Sequence, residues 1–201
     1  MKNIVDFFQI AEKLECEYRL TRMSDGKKQA VASHSWNMAL MAMVFAPYLK
    51  NSVDMERVLK ICLLHDLPEA IAHDVPLHEQ TDEVRTRKQA DEKNAIDMIS
   101  GLLNNSDFRS CFNEYEERLT PEARLVKALD VMDTAVQHMS AQDLAYVGEY
   151  ADCFYWKMFF KDDFAAFFDF EPVLRGVFDE IKSRVAKRLK LELNINAEDF
   201  V

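Results

Sequence analysis

The chain has 201 residues, of which 49% are hydrophobic and 30% are charged, a composition typical of a globular domain with a sizeable core. The formal net charge of −10 argues against a general nucleic-acid-binding surface, because backbone phosphates need a basic face. The four cysteines form no CxxC pair, so we expect reduced thiols in a cytoplasmic protein. No stretch has the layout of a signal peptide or the apolar length of a membrane span, so we expect no membrane partner.

Almost every segment has the apolar spacing of a helix. The predicted helices cover the N-terminal segment 4–14 and then, approximately, residues 33–49, 54–67, 68–72, 81–103, 120–139 and 171–191. The segments 24–29 and 73–80 read as loops and 104–107 as a turn, and no alternating strand pattern of useful length is present. The sequence therefore predicts one all-α domain over residues 1–201, built as a single helical bundle.

Helix starts are marked by local chemistry. Thr120 offers a capping hydroxyl, and Pro121 and Glu122 suit the first turn that follows it. Pro68 fits the first turn of a new helix but not a helix interior, so it separates a helix that ends near Leu67 from a short one after it. Ser33 is the expected cap of the helix that starts there.

Two histidines and two aspartates occur on otherwise apolar helices. His34 and His65 each lie in such a run, Asp66 follows His65 directly, and Asp130 lies among the apolar residues of VKALDVMDTAV. Each residue alone is more often structural than functional. Together they form a mixed nitrogen and oxygen donor set that suits Mn, Co, Fe, Ni or Zn better than Ca. Asp133, three residues after Asp130, reads as part of a half-exposed acidic stripe.

Two further acids follow the His-Asp pair. Glu69 lies four residues after His65, a spacing that returns it to the same side of a helix. An acid there is placed to handle a proton, although a first-turn acid that complements the helix dipole is the structural alternative. Asp74 is a second candidate from the loop, where a turn acid before Val75 is the alternative.

Three stretches at these spacings identify a family. SHSWNMALMAM (33–43), LLHDLPEAIAHDVP (63–76) and EARLVKALDVMDTA (122–135), with the spacing from Arg19 to His34, resemble the HD-domain superfamily. The resemblance is closest to its 5′-deoxynucleotidase branch, that of HD domain-containing protein 2, and extends over residues 4–145.

The resemblance implies an HD-type helical bundle with one divalent metal ion in its core (Mn, Co, Zn, Fe, Ni or Mg), held by His34, His65, Asp66 and Asp130. It also implies that Glu69 and Asp74 are catalytic, that Arg19 contacts phosphate, and that the substrate is a small-molecule phosphoester, a deoxynucleoside 5′-monophosphate. Family members commonly form homodimers. We expect the metal-binding core at residues 30–140 and a C-terminal helical extension at 141–201.

Other side chains have smaller expected roles. Lys27 and Lys28 are candidates for neutralising charge on the phosphate, whereas Lys88 reads as part of a solvated helix face with Arg85 and Arg87. His73 and His78 read as solvated loop residues near the site, and His138 as a packed or surface residue. The aromatic-rich segment 154–170 reads as core or dimer contact rather than a base-stacking pocket, with a lid as the alternative.

Three other functions compete with the deoxynucleotidase. Guanosine tetraphosphate hydrolysis is typical of family members with a Glu-Asp pair after His-Asp, but here Ala70 follows Glu69. A di-iron oxygenase needs additional histidines from a later helix, but no histidine occurs between His78 and His138. A non-catalytic binding module is the third alternative, and the complete ligand set gives no reason to prefer it.

Overall fold

The computed structural model describes residues 1–76, 79–146, 154–161 and 164–200, and for residues 154 and 155 the backbone alone. The α-helices are α1 Lys2–Ala11, α2 Val31–Phe45, α3 Met55–Leu64, α4 Glu69–Ala72, α5 Asp82–Leu103, α6 Ser106–Glu117, α7 Pro121–Ser140, α8 Phe154–Phe160 and α9 Pro172–Leu193. Short 3-10 helices cover Glu12–Glu15, Ala46–Tyr48, Ala165–Phe167 and Ala197–Phe200. Two strands, β1 Tyr18–Arg22 and β2 Lys28–Ala30, complete the described elements. The predicted all-α fold class is confirmed.

Helix starts follow the predicted chemistry in most places. Thr120 caps α7 by accepting a hydrogen bond from the Ala123 N–H, and Thr81 caps α5 in the same way through the Val84 N–H. The predicted cap at Ser33 is wrong. Helix α2 begins two residues earlier, at Val31, because strand β2 runs directly into it and leaves no loop for a capping side chain.

A two-stranded antiparallel hairpin is the main departure from the predicted fold. Strands β1 and β2 pair through Tyr18 with Ala30 and Arg22 with Lys28, so part of the predicted 24–29 loop is strand. The turn is closed by Gly26, whose φ of +81° favours glycine. With five and three residues, the strands are too short to show a convincing alternation. The hairpin matters because it carries Arg19.

Helix α6 was not predicted, although its sequence carried a signal. Asn104 ends α5 in the left-handed conformation, and the Asn105 side chain accepts the Asp107 N–H to cap α6. Cys111, Phe112 and Tyr115 then face the core at helical spacing. The turn predicted at 104–107 is therefore shorter, because only Asn104 and Asn105 lie between the two helices.

Helix α7 lies at the centre of the core. It packs against α2, α3 and α9, and its buried residues belong to a hydrophobic cluster that continues from Met38 to Phe200. The aromatic segment contributes Trp156, Phe159 and Phe168 to this cluster, in agreement with its predicted core role. No helix in the described part of the chain combines the length and the apolarity needed to cross a membrane. The division of the domain at residue 141 stays a prediction.

Candidate active site

Four predicted metal ligands converge at the centre of the bundle. His34 comes from α2, His65 and Asp66 follow the end of α3, and Asp130 comes from α7. One ligand atom from each of His34, His65 and Asp66 lies within 4.8 Å of the others. The Asp66 Oδ2 atom is 3.2 Å from His65 Nε2, and Asp130 Oδ1 is 3.2 Å from His34 Nε2. Three distant parts of the chain thus supply one donor set.

Both histidines present an unused nitrogen to this centre. His65 Nδ1 lies 2.9 Å from the Cys62 carbonyl oxygen and therefore donates to it, while His34 Nδ1 lies 2.7 Å from Asp133 Oδ2. In the neutral ring each Nε2 atom then carries a lone pair, and it is buried with no hydrogen-bond partner of acceptable geometry. Buried polar nitrogens without a partner are costly, and a metal ion is a partner that fits them. The donor set thus fits a transition metal.

Asp133 orients the first of these ligands. Its side chain is fully buried, so the predicted half-exposed acidic stripe is wrong. Besides His34, it accepts hydrogen bonds from Gln29 Nε2 at 2.9 Å and from Asn37 Nδ2. Burial alone would raise the pKa of Asp133, but the hydrogen bond from His34 and those from the two amides lower it. An ionised carboxylate therefore fixes the tautomer and the direction of the His34 ring.

The ionised carboxylates of Asp66 and Asp130 favour positive charge at the centre of the donor set. Tyr115 Oη and Lys127 Nζ each donate to Asp130 Oδ2 at 2.7 Å, so the other oxygen faces His34. Burial opposes ionisation of Asp130, but Lys127 and His34 hold its pKa well below the usual range. The pKa of Asp66 is lowered against burial, first by His65. Burial and Arg19 oppose the charge of His34, but the carboxylates of Asp130 and Asp133 beside it raise its pKa.

Arg19 lies beside this donor set, and its predicted contact with phosphate stays a prediction. Its Nη1 atom is 3.5 Å from Asp66 Oδ2, its Nη2 atom is 3.7 Å from Asp130 Oδ1, and Nη2 donates to Thr134 Oγ1 at 3.1 Å. Burial disfavours its charge, but Asp130 and Asp66 outweigh burial and raise the pKa of Arg19. The predicted role of Lys27 and Lys28 finds no support, because both are exposed and neither lines the cavity beside Arg19.

Glu69 is buried and paired with a lysine that the sequence analysis placed on the surface. Lys88 Nζ lies 3.3 Å from Glu69 Oε1 and also donates to Glu92. The solvated face predicted for Lys88 is therefore wrong, since its ammonium group reaches inward from α5 to two buried acids. Burial, followed by Asp66 and Asp74, raises the pKa of Glu69 well above its usual value, although Lys88 opposes this. Glu69 thus loses its proton at a higher pH than an ordinary glutamate does.

The loop after α4 adds Asp74. Its N–H donates to Glu17 Oε1 at 3.2 Å, and its side chain lines the same cavity as Asp66 and Glu69. Burial is the main cause that raises the pKa of Asp74, Arg19 opposes it, and Asp66 adds to it. His73 is exposed, with a φ of +66°, and its Nδ1 lies 3.0 Å from Glu17 Oε2, in agreement with its solvated role. His78 lies outside the described residues.

These groups open into a cavity of about 450 Å³, large enough for a small ligand. Arg19, Asp66, Glu69, Asp74 and Asp130 all line it. His65 lines it as well, and His34 lies behind the carboxylates, fully buried. The described residues contain a single cluster of metal-ligating type, so the part of the chain that the structure covers offers no second set for a di-iron centre.

Comparison with known proteins identifies the family to which the chain belongs. A family model described as HD domain matches residues 11–158. The chain belongs to the HD domain family. This HD domain is 31% identical over 149 residues to the 5′-deoxynucleotidase HDDC2 of Danio rerio, across 72% of each chain. It is 30% identical over 142 residues to the 5′-deoxynucleotidase hdd1 of Schizosaccharomyces pombe, across 67% of this chain and 70% of that one.

Solved structures show the same fold. The HD domain is similar to the "Predicted metal-dependent phosphohydrolase" of Magnetospirillum magnetotacticum MS-1, with a TM-score of 0.74 over 93% of both chains and 22% identity. It is also similar to an HD-domain phosphohydrolase of Listeria innocua, with a TM-score of 0.67 over 98% of this chain and 99% of that one and 18% identity.

Proposed function

We propose that this HD domain is a metal-dependent phosphohydrolase that converts deoxynucleoside 5′-monophosphates to deoxynucleoside and phosphate. The observation that carries the proposal is the pair of buried, unpartnered Nε2 atoms of His34 and His65, which face Asp66 and Asp130 beneath Arg19. The names of the Danio and Schizosaccharomyces relatives support the nucleotide substrate. We further propose a cytoplasmic location, supported by the free thiols of Cys16, Cys62 and Cys111.

His34, His65, Asp66 and Asp130 would hold one divalent ion, which we propose to be Mn, Co, Zn, Fe, Ni or Mg. Such an ion supplies Lewis acidity toward phosphate oxygens and lowers the pKa of a water molecule, which makes a nucleophile near neutral pH. The protein contributes ligand orientation. Asp133 and the Cys62 carbonyl fix the two histidine rings, and Tyr115 and Lys127 fix the Asp130 carboxylate.

Arg19 is the proposed phosphate-binding residue. Its guanidinium group is held by Thr134 and lies within 4 Å of two carboxylates, and Arg19 lines the cavity. A planar guanidinium group can donate two parallel hydrogen bonds to phosphate oxygens. We propose that it binds the phosphate and stabilises the negative charge that develops in the transition state.

Glu69 is the proposed general acid. Because burial raises its pKa, Glu69 retains a proton at a pH at which an ordinary glutamate has lost it. We propose that it donates this proton to the 5′-oxygen of the leaving deoxynucleoside. Asp74 lines the same cavity and has a raised pKa for the same main reason, so we propose that it orients the attacking water or the leaving group.

We also propose that the protein forms a homodimer. Trp36, Leu40 and Met43 recur at helical spacing on an exposed face of α2, and Leu63 on α3 is exposed as well. Exposed apolar groups of this kind mark interaction surfaces. Replacement of Leu40 by glutamate should convert a dimer to a monomer in light scattering after gel filtration. A wild-type monomer would overturn the proposal.

Phosphate release from a substrate panel tests the proposed activity. The panel pairs 2′-deoxy and ribo 5′-monophosphates with 3′-monophosphates and guanosine tetraphosphate, using metal-stripped protein reloaded with Mn, Co, Zn or Mg. We expect release from 2′-deoxy 5′-monophosphates that is lost in Asp66→Ala. Release from guanosine tetraphosphate alone would replace the substrate assignment, and no release from any member would discard it.

A further inference from the structure

The charged and the uncharged residues that line the cavity come from different parts of the chain. Among the described residues, every charged side chain that lines it belongs to a residue at or before Asp130. The described residues after Asp130 that line it are uncharged, and most are aromatic or apolar: Thr134, His138, Trp156, Met158, Phe164 and Phe167 are among them. We call these six residues the uncharged wall. The proposed chemistry uses the charged part and, apart from Thr134, which accepts a hydrogen bond from Arg19, leaves this wall without a role.

The uncharged wall is built by ring contacts. The rings of His138 and Trp156 lie 4.7 Å apart, and those of Phe164 and Phe167 lie 6.4 Å apart. Burial lowers the pKa of His138 to about 3, so its ring is neutral at any working pH. Phe167 and Met158 are partly exposed, whereas Trp156 is buried. Phe167 and Met158 therefore offer more accessible surface to a ligand than Trp156 does.

The wall is attached to the catalytic centre. Thr134 accepts a hydrogen bond from Arg19 at 3.1 Å, and Lys127, which donates to Asp130, lies with its Nζ 5.8 Å from the centroid of the Phe167 ring. The wall therefore begins beside the residue proposed to bind phosphate, and the remaining atoms of a ligand held by Arg19 can lie along it. A nucleobase is flat and uncharged, and aromatic side chains bind such rings by stacking without strict base preference.

We propose that the uncharged wall is the nucleobase subsite of this enzyme, with Phe167 and Met158 as its contact residues. The inference rests on the proposed function, since it takes a deoxynucleoside 5′-monophosphate as the ligand. It departs from the sequence analysis, which favoured core or dimer contact over a base-stacking pocket for the aromatic segment and kept a lid as the alternative. Phe164 and Phe167 lie beyond the part of the chain that matches the HD domain family.

A base-free substrate isolates the contribution of the wall. Deoxyribose 5-phosphate has the same sugar and phosphate as deoxyadenosine 5′-monophosphate but no base. For the wild-type protein, kcat/KM should be higher for the nucleotide by about tenfold, the order expected for one base stacked on an aromatic side chain. Phe167→Ala should remove most of this difference through a higher KM for the nucleotide, and should leave kcat/KM for deoxyribose 5-phosphate unchanged.

Phe170→Ala is the matched control. Phe170 is a partly buried phenylalanine in the same segment, but its ring lies 4.5 Å from the Arg124 guanidinium group and does not line the cavity. It should retain the wild-type ratio of the two substrates. Met158→Ala replaces Phe167→Ala if the latter fails to fold in thermal denaturation. Equal loss for both substrates, or no loss for either, would overturn the subsite.

A binding measurement separates the subsite from the proposed activity. The chain has two tryptophans, so Trp36→Phe leaves Trp156 as the fluorescent reporter. Deoxyadenosine, which carries no phosphate, should quench its emission, and addition of Phe167→Ala to this variant should weaken the quenching. Quenching in a protein that hydrolyses no nucleotide would uphold the subsite and discard the activity. Hydrolysis without quenching and without discrimination between the two substrates would uphold the activity and discard the subsite.

Discussion

Replacement of Asp133 by asparagine should weaken metal binding without direct contact to the metal. Asp133 accepts the His34 Nδ1–H at 2.7 Å and the Gln29 amide at 2.9 Å through one oxygen, and the Asn37 amide through the other. Asparagine has the same shape but only one accepting atom. When its NH2 group faces His34, the imidazole must move its proton to Nε2, and this proton blocks the ligand lone pair.

The expected loss of affinity follows from the loss of this partner. Outer-shell partners of metal-bound histidines contribute about 10- to 100-fold to metal affinity, which is about 1.4–2.7 kcal/mol. The buried Gln29 and Asn37 donors also lose part of their acceptor, so the free energy of unfolding without metal should fall by about 1–3 kcal/mol. Asp133→Ala, which leaves every donor unsatisfied, should cost more in both measurements.

Calorimetric titration of metal-stripped protein with Co or Mn measures the affinity, and denaturation without metal measures the stability. Asp143→Asn is the control, because Asp143 is exposed and its side chain accepts the N–H of the nearby Ala145, away from the metal-ligand set. It should bind metal as the wild-type protein does. A wild-type dissociation constant for Asp133→Asn would refute the role given to Asp133, even if the variant were less stable.

Three further predictions concern proton transfer and stability. A general acid acts while protonated, so activity should fall as pH rises through the raised pKa of Glu69. Glu69→Gln should abolish this fall in the pH–rate profile and lower kcat by about 10²- to 10⁴-fold. Lys88→Met should move the fall to higher pH, because Lys88 lowers the pKa of Glu69. Glu171 accepts hydrogen bonds from two backbone N–H groups, and these bonds lower its pKa although burial opposes this. Its contribution to the free energy of unfolding is therefore present above the unfolded pKa of about 4.3 and lost as pH falls through the folded pKa. Glu171→Gln should lower the free energy of unfolding in urea by about 1–2 kcal/mol at pH 7, and this difference should vanish in acid. Arg188 donates to three carbonyl oxygens at the end of α7, so Arg188→Ala should lower the free energy of unfolding by about 1–3 kcal/mol, and an unchanged melting temperature would contradict this.

The donor set was visible in the sequence because each member breaks a local pattern. His34, His65 and Asp130 are polar residues on apolar helices, and burial of such groups requires a partner. Pro68 and Thr120 likewise act through their immediate neighbours, so the helix boundaries at these two residues were predicted from the sequence. Chemistry that depends on adjacent residues can be read without knowledge of the tertiary structure.

The residues that the sequence analysis missed depend on partners far along the chain. Asp133 is buried because Gln29 and Asn37 satisfy it, and these residues precede it by about a hundred positions. Lys88 resembles its exposed neighbours on α5 until α4 brings Glu69 to it. The hairpin is stabilised by cross-strand pairing, which strands of this length do not reveal in their own sequence. These features arise from tertiary contacts that no local pattern encodes.

Stoichiometric reloading with metal tests the central claim most directly. Metal-stripped protein is titrated with Mn or Co while phosphate release from deoxyadenosine 5′-monophosphate is followed, with bound metal counted per chain. We predict no release without metal, saturation at one ion per chain, and loss of both tight binding and release in Asp66→Ala. Release from metal-free protein, or saturation only at two ions per chain, would contradict a single metal centre built from His34, His65, Asp66 and Asp130.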